Sequence, residues 1–379
     1  MTEPISSGAV RSKRFDYLDN LKVFLTVLVI FHHAGQAYGD GGDWAYHPSN
    51  PEEVAGWLWR FFGVNAAYFM GLFFLISGYF IPKSYARQGF WKFLGKKFSR
   101  LGIPLLLIGA TLSLLLHKLE LAHMWYVEHL LFYSVVYAVL MLGITWVQRL
   151  CRRDSHPGAP ASKAPALATG TASDTASRLS FLPALLFLLA TTAGLAAVNY
   201  VVRPIYPQDK WIALFGFLVC EPAHLTQYVL LFVMGILASR RNWLDRMPKS
   251  LGIVAFVLAI GLACCLWLAP DNSPLINLVT SKWYAWEAAV AVFMSTGLLW
   301  LFRDVLNKSD KFLKWCADQS YGAYVLHLLL MLGFQFLTDS IWLGGGTEKF
   351  LFIGVCTTFL SFGLAWLLRL ILIPLRRKF

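Results

Sequence analysis

Hydrophobic positions run along this chain in long blocks, without the alternation of amphipathic strands or the heptads of coiled coils. Blocks of roughly 20 residues, enough to cross a hydrocarbon core of about 30 Å, occupy 18–38, 57–81, 101–118, 125–147, 180–200, 211–238, 250–269, 283–302, 318–338 and 350–374. This pattern predicts an all-α, polytopic membrane protein with ten transmembrane helices. Glu221-Pro222 interrupts the sixth block, so the count becomes eleven if the part before it forms a short or re-entrant segment of its own. The first block continues into polar sequence without a small-residue cleavage site, which predicts a persistent helix and no cleaved signal peptide. The stretch 149–180 is rich in Ala, Pro, Ser and Thr and has no hydrophobic period. It reads as a flexible cytoplasmic loop inside a single membrane domain covering 1–379.

Composition narrows the class. Hydrophobic residues make up 57% of the 379 positions and charged residues only 14%, against about 25% charged in an average soluble domain. The net charge is +12, and its distribution gives it meaning. With the N-terminus in the cytoplasm, the inside segments hold 25 Lys and Arg and the outside loops 5, the asymmetry expected when both termini are cytoplasmic. The charge is therefore first a topology signal, with a lesser share left for binding anionic lipid or an anionic ligand, and no nucleic-acid partner is implied. The six cysteines lack paired spacing, so neither a metal cage nor a disulfide framework is expected. No P-loop, GxGxxG, GxSxG or HExxH is present, which argues against an ATPase, a nucleotide oxidoreductase, a serine hydrolase and a metalloprotease.

Ionisable groups inside apolar blocks are costly and mark sites. At 100° per residue, Asp19, Lys22, Thr26, His33 and Gln36 fall along one stripe of the first helix, and Lys22 to His33 is three turns, about 16.5 Å of rise. His32 points a quarter-turn away and suits an interfacial or packing role. Glu128, His129, Glu221, His224 and Glu287 fall in the outer half of the membrane, and His327 near mid-depth. Each alone can tie helices together. Together they supply the parts of a buried acid/base site, with His33 as base, Glu128 or Glu287 as the carboxylate that orients it, and His327 in reserve. Lys97 and Arg100, three apart at a helix entrance, form a cation pair suited to a phosphate-bearing ligand.

The opening segment RFDYLDNLKVFLTVLVIFHH resembles the first helix of the acyltransferase family 3 membrane proteins, where Leu-Asp-x-Leu-Arg is followed after ten residues by a histidine. Those positions are Leu18, Asp19, Leu21, Lys22 and His33 here. Further similar segments follow in family order: FFLISGYF at 73–80, KKFSRLGIP at 96–104, MWYVEHLLFY at 124–133, QYVLLFVMGILA at 227–238, WYAWEA at 283–288 and SYGAYVLH at 320–327. Lys22 and Lys97 stand where the family has arginines, which keeps the charge and loses the planar fork; Arg100 keeps both. The chain resembles stand-alone members near the glucan succinyltransferase branch.

The resemblance implies a multi-pass enzyme of the cell's inner (plasma) membrane. It would move an acetyl or succinyl group from cytoplasmic acyl-coenzyme A to a hydroxyl of a cell-envelope glycan or similar acceptor. It implies no permanently bound cofactor, the coenzyme being a substrate. Asp19, Lys22, Ser77, Lys97, Arg100 and Tyr324 then fall to substrate binding. The alternative from another class is a proton-coupled transporter or flippase of a glycolipid or small anion, with the buried histidines and carboxylates as its relay.

Overall fold

The computed structural model describes residues 15–39, 44, 46–48, 54–116, 122–155, 178–342 and 344–376. Among them, eight helical runs are long and apolar enough to cross a membrane, and the protein is an all-α polytopic membrane protein. One run, Leu58–Leu114, passes through three helices: α2 (Leu58–Ala66), α3 (Phe69–Lys97) and α4 (Ile103–Leu116). The others are α5 (Trp125–Ser155), α6 (Phe181–Val202), α7 (Pro222–Arg240), α9 (Lys249–Leu268), α11 (Trp283–Trp300), α12 (Lys311–Ile341) and α13 (Gly346–Arg376). Short helices α8 (Trp243–Arg246) and α10 (Pro274–Ser281) lie between them. Helix α1 (Asp16–Gln36) is not among the eight; it carries Asp16, Asp19 and Lys22 at one end and His32, His33 and Gln36 at the other.

Local sequence explains several boundaries. Helix α7 begins at Pro222, whose missing N–H and fixed φ suit a first helical position. Helix α12 is capped by the Asp310 carboxylate, which accepts from the Leu313 N–H at 2.8 Å. Helix α3 is broken at Gly89, where φ is 70°. A π-helical turn, Phe98–Gly102, then joins α3 to α4, so Lys97 and Arg100 stand at an irregular turn and not on one regular helical face.

Two expectations need correction. The block 211–238 does break at Glu221-Pro222, with the helix starting at Pro222, but the part before it is not helical: 212–214 and 218–220 form an antiparallel hairpin, with Leu214 opposite Leu218. Phe215 and Gly216 take positive φ at its turn, and a short apolar run does not by its periodicity distinguish strand from helix. Residues 149–155, expected in the cytoplasmic loop, continue α5. The centre of that loop, 156–177, lies outside the described residues.

Buried residues form two main clusters. One gathers side chains of α3, α5, α7, α9 and α11, the other those of α2, α12 and α13. Helix α1 belongs to both: Leu18, Leu21, Leu25 and Val29 pack into the first, and Ile30, Ala34 and Tyr38 beyond them into the second. The seam along α1 is where the polar side chains meet. Outward, Leu106, Leu140, Leu182, Val257, Phe359 and Ile371 are exposed, a surface suited to lipid.

Candidate active site

His33 lies in the last turn of α1, His327 on α12, and His123 on the short turn Ala122–Met124 that leads into α5. The three imidazoles converge. His33 Nδ1 and His327 Nε2 are 2.9 Å apart, and the two rings are nearly coplanar, at 15° with centroids 5.1 Å apart, as edge-to-edge hydrogen bonding requires. The His123 ring meets His327 edge to face at 4.7 Å. Trp44, between α1 and α2, lies at 16° to the His33 ring with centroids 5.5 Å apart, and its indole N–H donates to Gln335 Oε1 at 3.1 Å. His32 faces away and packs against Phe62 and Phe69 at 5.0 and 4.9 Å.

The bonding fixes the proton positions of this group. His327 Nδ1 is 2.5 Å from the Tyr324 carbonyl oxygen, which can only accept, so that nitrogen carries the hydrogen. In a neutral imidazole Nε2 then accepts. His33 Nδ1 must therefore donate to it, leaving the lone pair on His33 Nε2. Of the four histidines at this level, His32, His123 and His327 are buried while His33 is only half-buried. His123 Nδ1 and His32 Nδ1 also lack partners but are buried, so of these rings only His33 combines a free lone pair with partial exposure. A carbonyl and a second histidine do here what a carboxylate was expected to do.

Tyr324 and His123 clasp each other's segments. The Tyr324 hydroxyl donates to the His123 carbonyl at 2.5 Å, and His123 Nε2 donates to the Val325 carbonyl at 3.2 Å. Ser77 Oγ and the Tyr126 hydroxyl are 2.9 Å apart, and the Tyr126 ring meets Tyr324 at 5.7 Å, so Ser77 joins the group through Tyr126. Along α12, Tyr321, Tyr324 and His327 step by three residues over about 9 Å of rise. At the Tyr321 end, the Arg100 guanidinium lies over the Tyr321 ring at 5.5 Å, and the Tyr321 hydroxyl donates to the Arg100 carbonyl at 2.8 Å. Lys97 lies over Phe93 at 5.4 Å. Lys22 pairs with Asp19 at 2.7 Å and sits over Phe80 at 5.4 Å. A basic end is thereby joined to the histidines by a run of tyrosines.

A family model for the acyltransferase domain, Acyl_transf_3, matches residues 15–370. The chain belongs to the acyltransferase 3 family. Similar curated proteins are the glucans biosynthesis protein C of Salmonella heidelberg (strain SL476) and that of Salmonella agona (strain SL483), each 25% identical over 258 residues. The matched stretch covers 61% of this chain and 60% of each relative's own length. No solved structure matches the chain.

Within this acyltransferase 3 chain, the two carboxylates expected beside His33 lie elsewhere. Glu128 Oε2 accepts from the Val219 N–H of the hairpin at 3.0 Å. Glu287 is held by His224 and Arg203: its Oε1 lies 2.6 Å from His224 Nε2, and its Oε2 pairs with the Arg203 guanidinium. Glu128 turns to the hairpin, and Glu287 to the start of α7 and the segment after α6, so neither carboxylate bonds His33. Glu221 completes this second network, with Oε2 at 2.6 Å from His224 Nδ1 and Oε1 accepting from the Asp209 N–H at 2.9 Å. Both nitrogens of His224 are thus occupied, which leaves it no lone pair for a substrate proton. Burial lowers the pKa of Arg203 to about 10. Burial lifts the Glu221 carboxyl, but His224, the Asp209 N–H and Arg203 together hold it below its ordinary value.

The sequence reading missed His123, Trp44, Tyr126 and Gln335. His123 directly precedes the segment 124–133 but lies just before an apolar block that starts at 125, and Trp44 sits in a polar loop. Only an aromatic or imidazole beside a block boundary signals them. The described residues contain no group of three His, Cys, Asp or Glu side chains placed to hold a metal ion.

Proposed function

We propose that this protein transfers an acetyl or succinyl group from acyl-coenzyme A, bound at the basic end, to a hydroxyl of a cell-envelope glycan, with His33 as general base. The observation that carries this reading is the relay from the Tyr324 carbonyl through His327 to His33, which leaves a free lone pair on the partly exposed His33 Nε2. An alcohol is a poor nucleophile at its own pKa, and a positioned imidazole removes its proton as it attacks. The acceptor oxygen bonds to the thioester carbonyl carbon while His33 Nε2 takes the hydroxyl proton. The carbon–sulfur bond then breaks, and the departing thiolate recovers that proton from the imidazolium. His327, fixed by Tyr324, holds the ring in the required tautomer and accepts from Nδ1 as positive charge develops.

Arg100, with Lys97 and Lys22, suits the phosphates of the coenzyme. The α12 stripe from Tyr321 to His327 gives a path for its thioester arm. The reading keeps both termini cytoplasmic and the protein in the plasma membrane. Relatives named for glucan biosynthesis make a glucan the first acceptor to examine. The test is mass spectrometry of envelope glycans from cells with the gene, without it, and with a His33→Ala copy. An acyl mass increment should appear only with the intact gene. Identical glycans in all three would refute the proposal.

A further inference from the structure

A cavity of about 480 Å³, within the range of ligand sites, opens away from the histidines between α6, α7, α9 and α11. Its polarity is one-sided. Leu188 of α6, Met234 of α7, Leu299 of α11 and Leu75 of α3 line its depth, while Arg178 and Arg246 stand among the residues at the ends of these helices. From Ser180 to Leu188, both in its wall, α6 rises about 12 Å, so an apolar slot runs inward from an end that carries two arginines.

The rim is built. The Leu179 N–H donates to the Arg246 carbonyl at 3.0 Å, which brings the two arginine-bearing segments together. Arg303 donates to the carbonyls of Leu244 and Met247, the latter at 3.0 Å, and its Nε bonds Asp304 at 2.8 Å. That fork fixes the segment on either side of Arg246. On the outer face of α6, Leu182, Leu186 and Leu189 are exposed, so the slot adjoins a lipid-facing surface and its occupant can enter sideways from the bilayer.

We propose that this slot binds one anionic glycerophospholipid, with its phosphate between Arg178 and Arg246 and one acyl chain along α6 toward Leu188. Paired cations at the membrane end of an apolar slot complement an anionic amphiphile; a zwitterionic lipid offers them no net charge, and free phosphate leaves the slot unfilled. Basic pockets between membrane helices commonly take anionic headgroups.

The experiment uses the full chain, purified and delipidated in detergent, with lipid retention read by native mass spectrometry and affinity by thermal shift. Phosphatidylglycerol should bind with a stoichiometry of one and clearly more tightly than phosphatidylcholine, and inorganic phosphate should not substitute for it. Removing a cation near a membrane surface costs about fivefold in affinity, so the double variant Arg178→Gln/Arg246→Gln should bind roughly 20-fold more weakly. The charge-matched variant Lys311→Gln/Lys314→Gln should bind normally. Ala184→Trp, which fills the slot and keeps both cations, should also lose the lipid, and it serves if the arginine variant does not fold. Equal binding of the two phospholipids, an equal loss in the lysine variant, or full binding by Ala184→Trp overturns the proposal.

Discussion

His33 and His32 are adjacent, yet they occupy different environments. His33 bonds His327 and keeps a free nitrogen, whereas His32 is enclosed by Phe61, Phe62 and Phe69. General-base help contributes about 10²–10⁴-fold, so His33→Ala should lose turnover on that scale with donor affinity retained, and His32→Ala should lose far less. His327→Ala leaves the Nδ1–H of His33 without its acceptor. That acceptor stabilises the imidazolium as it forms, and a hydrogen bond to a charged group is worth about 1.5–3 kcal/mol, so turnover should fall roughly 10- to 150-fold. Turnover by purified variants checks the order, and a His32 effect larger than that of His33 would reverse the assignment. Arg100→Ala should weaken donor binding about tenfold or more, through loss of a charge-assisted contact worth about 1.5–3 kcal/mol; unchanged affinity would remove Arg100 from the donor site. The phase that separates His33 from His32 was legible because it depends only on residues of one helix. The pairing with His327, 294 residues away, and the capture of Glu287 by His224 and Arg203 were not, since depth alone does not say which helices are neighbours.

At the scale of elements, α3 and α7 approach closely through two glycines. A Cβ added at Gly235 would lie 2.0 Å from the Leu75 carbonyl oxygen, and one at Gly78 would lie 2.1 Å from that of Phe232. Small residues at membrane-helix contacts permit this approach. Both obstacles are backbone, so neither can swing aside. Gly235→Ala should therefore cost at least the 1–3 kcal/mol typical of overpacking, seen as a lower midpoint for thermal unfolding in detergent. Gly261→Ala in α9, with nothing within 4 Å of the added atom, should be neutral or slightly stabilising, because glycine weakens a helix by about 0.5–1 kcal/mol relative to alanine. Equal midpoints for the two variants would refute the close-contact argument. Gly78 lies in the segment 73–80 and Gly235 in 227–238, two stretches that the sequence marks separately. Their contact needed the fold. The 212–220 hairpin escaped the sequence reading for a local reason, its apolar run being compatible with either period, whereas the π-turn after Lys97 is marked by Pro104, which lacks the N–H that would bond the Arg100 carbonyl.

Across the whole molecule, polar contacts gather at two ends, and this arrangement bears on how the protein sits in the bilayer. Asn20 bonds the Lys308 carbonyl, Arg369 pairs with Asp318, and Arg303 binds Asp304 with the Leu244 and Met247 carbonyls. These contacts join the start of α1 to the segment before α12, α12 to α13, and the turn after α11 to that after α7. At the opposite helix ends, Arg60 pairs with Asp271 and Arg203 with Glu287. Segments 239–250 and 303–317, which carry the Arg303 contacts and Lys308, hold four Lys and Arg each, whereas the loops 201–210 and 270–282 at the other end hold two and one. Lys and Arg in short loops favour the cytoplasmic side, which predicts that both termini and the 149–180 segment are cytoplasmic and the 39–56 segment faces outward. Single cysteines introduced by Ala45→Cys and Ala166→Cys, in a chain with its six native cysteines replaced, make this measurable with a membrane-impermeant maleimide. Position 45 should react in intact cells and position 166 only after permeabilisation. The opposite pattern would invert the orientation and move the Arg100 end, with its proposed donor, to the outer face, where no acyl-coenzyme A is available.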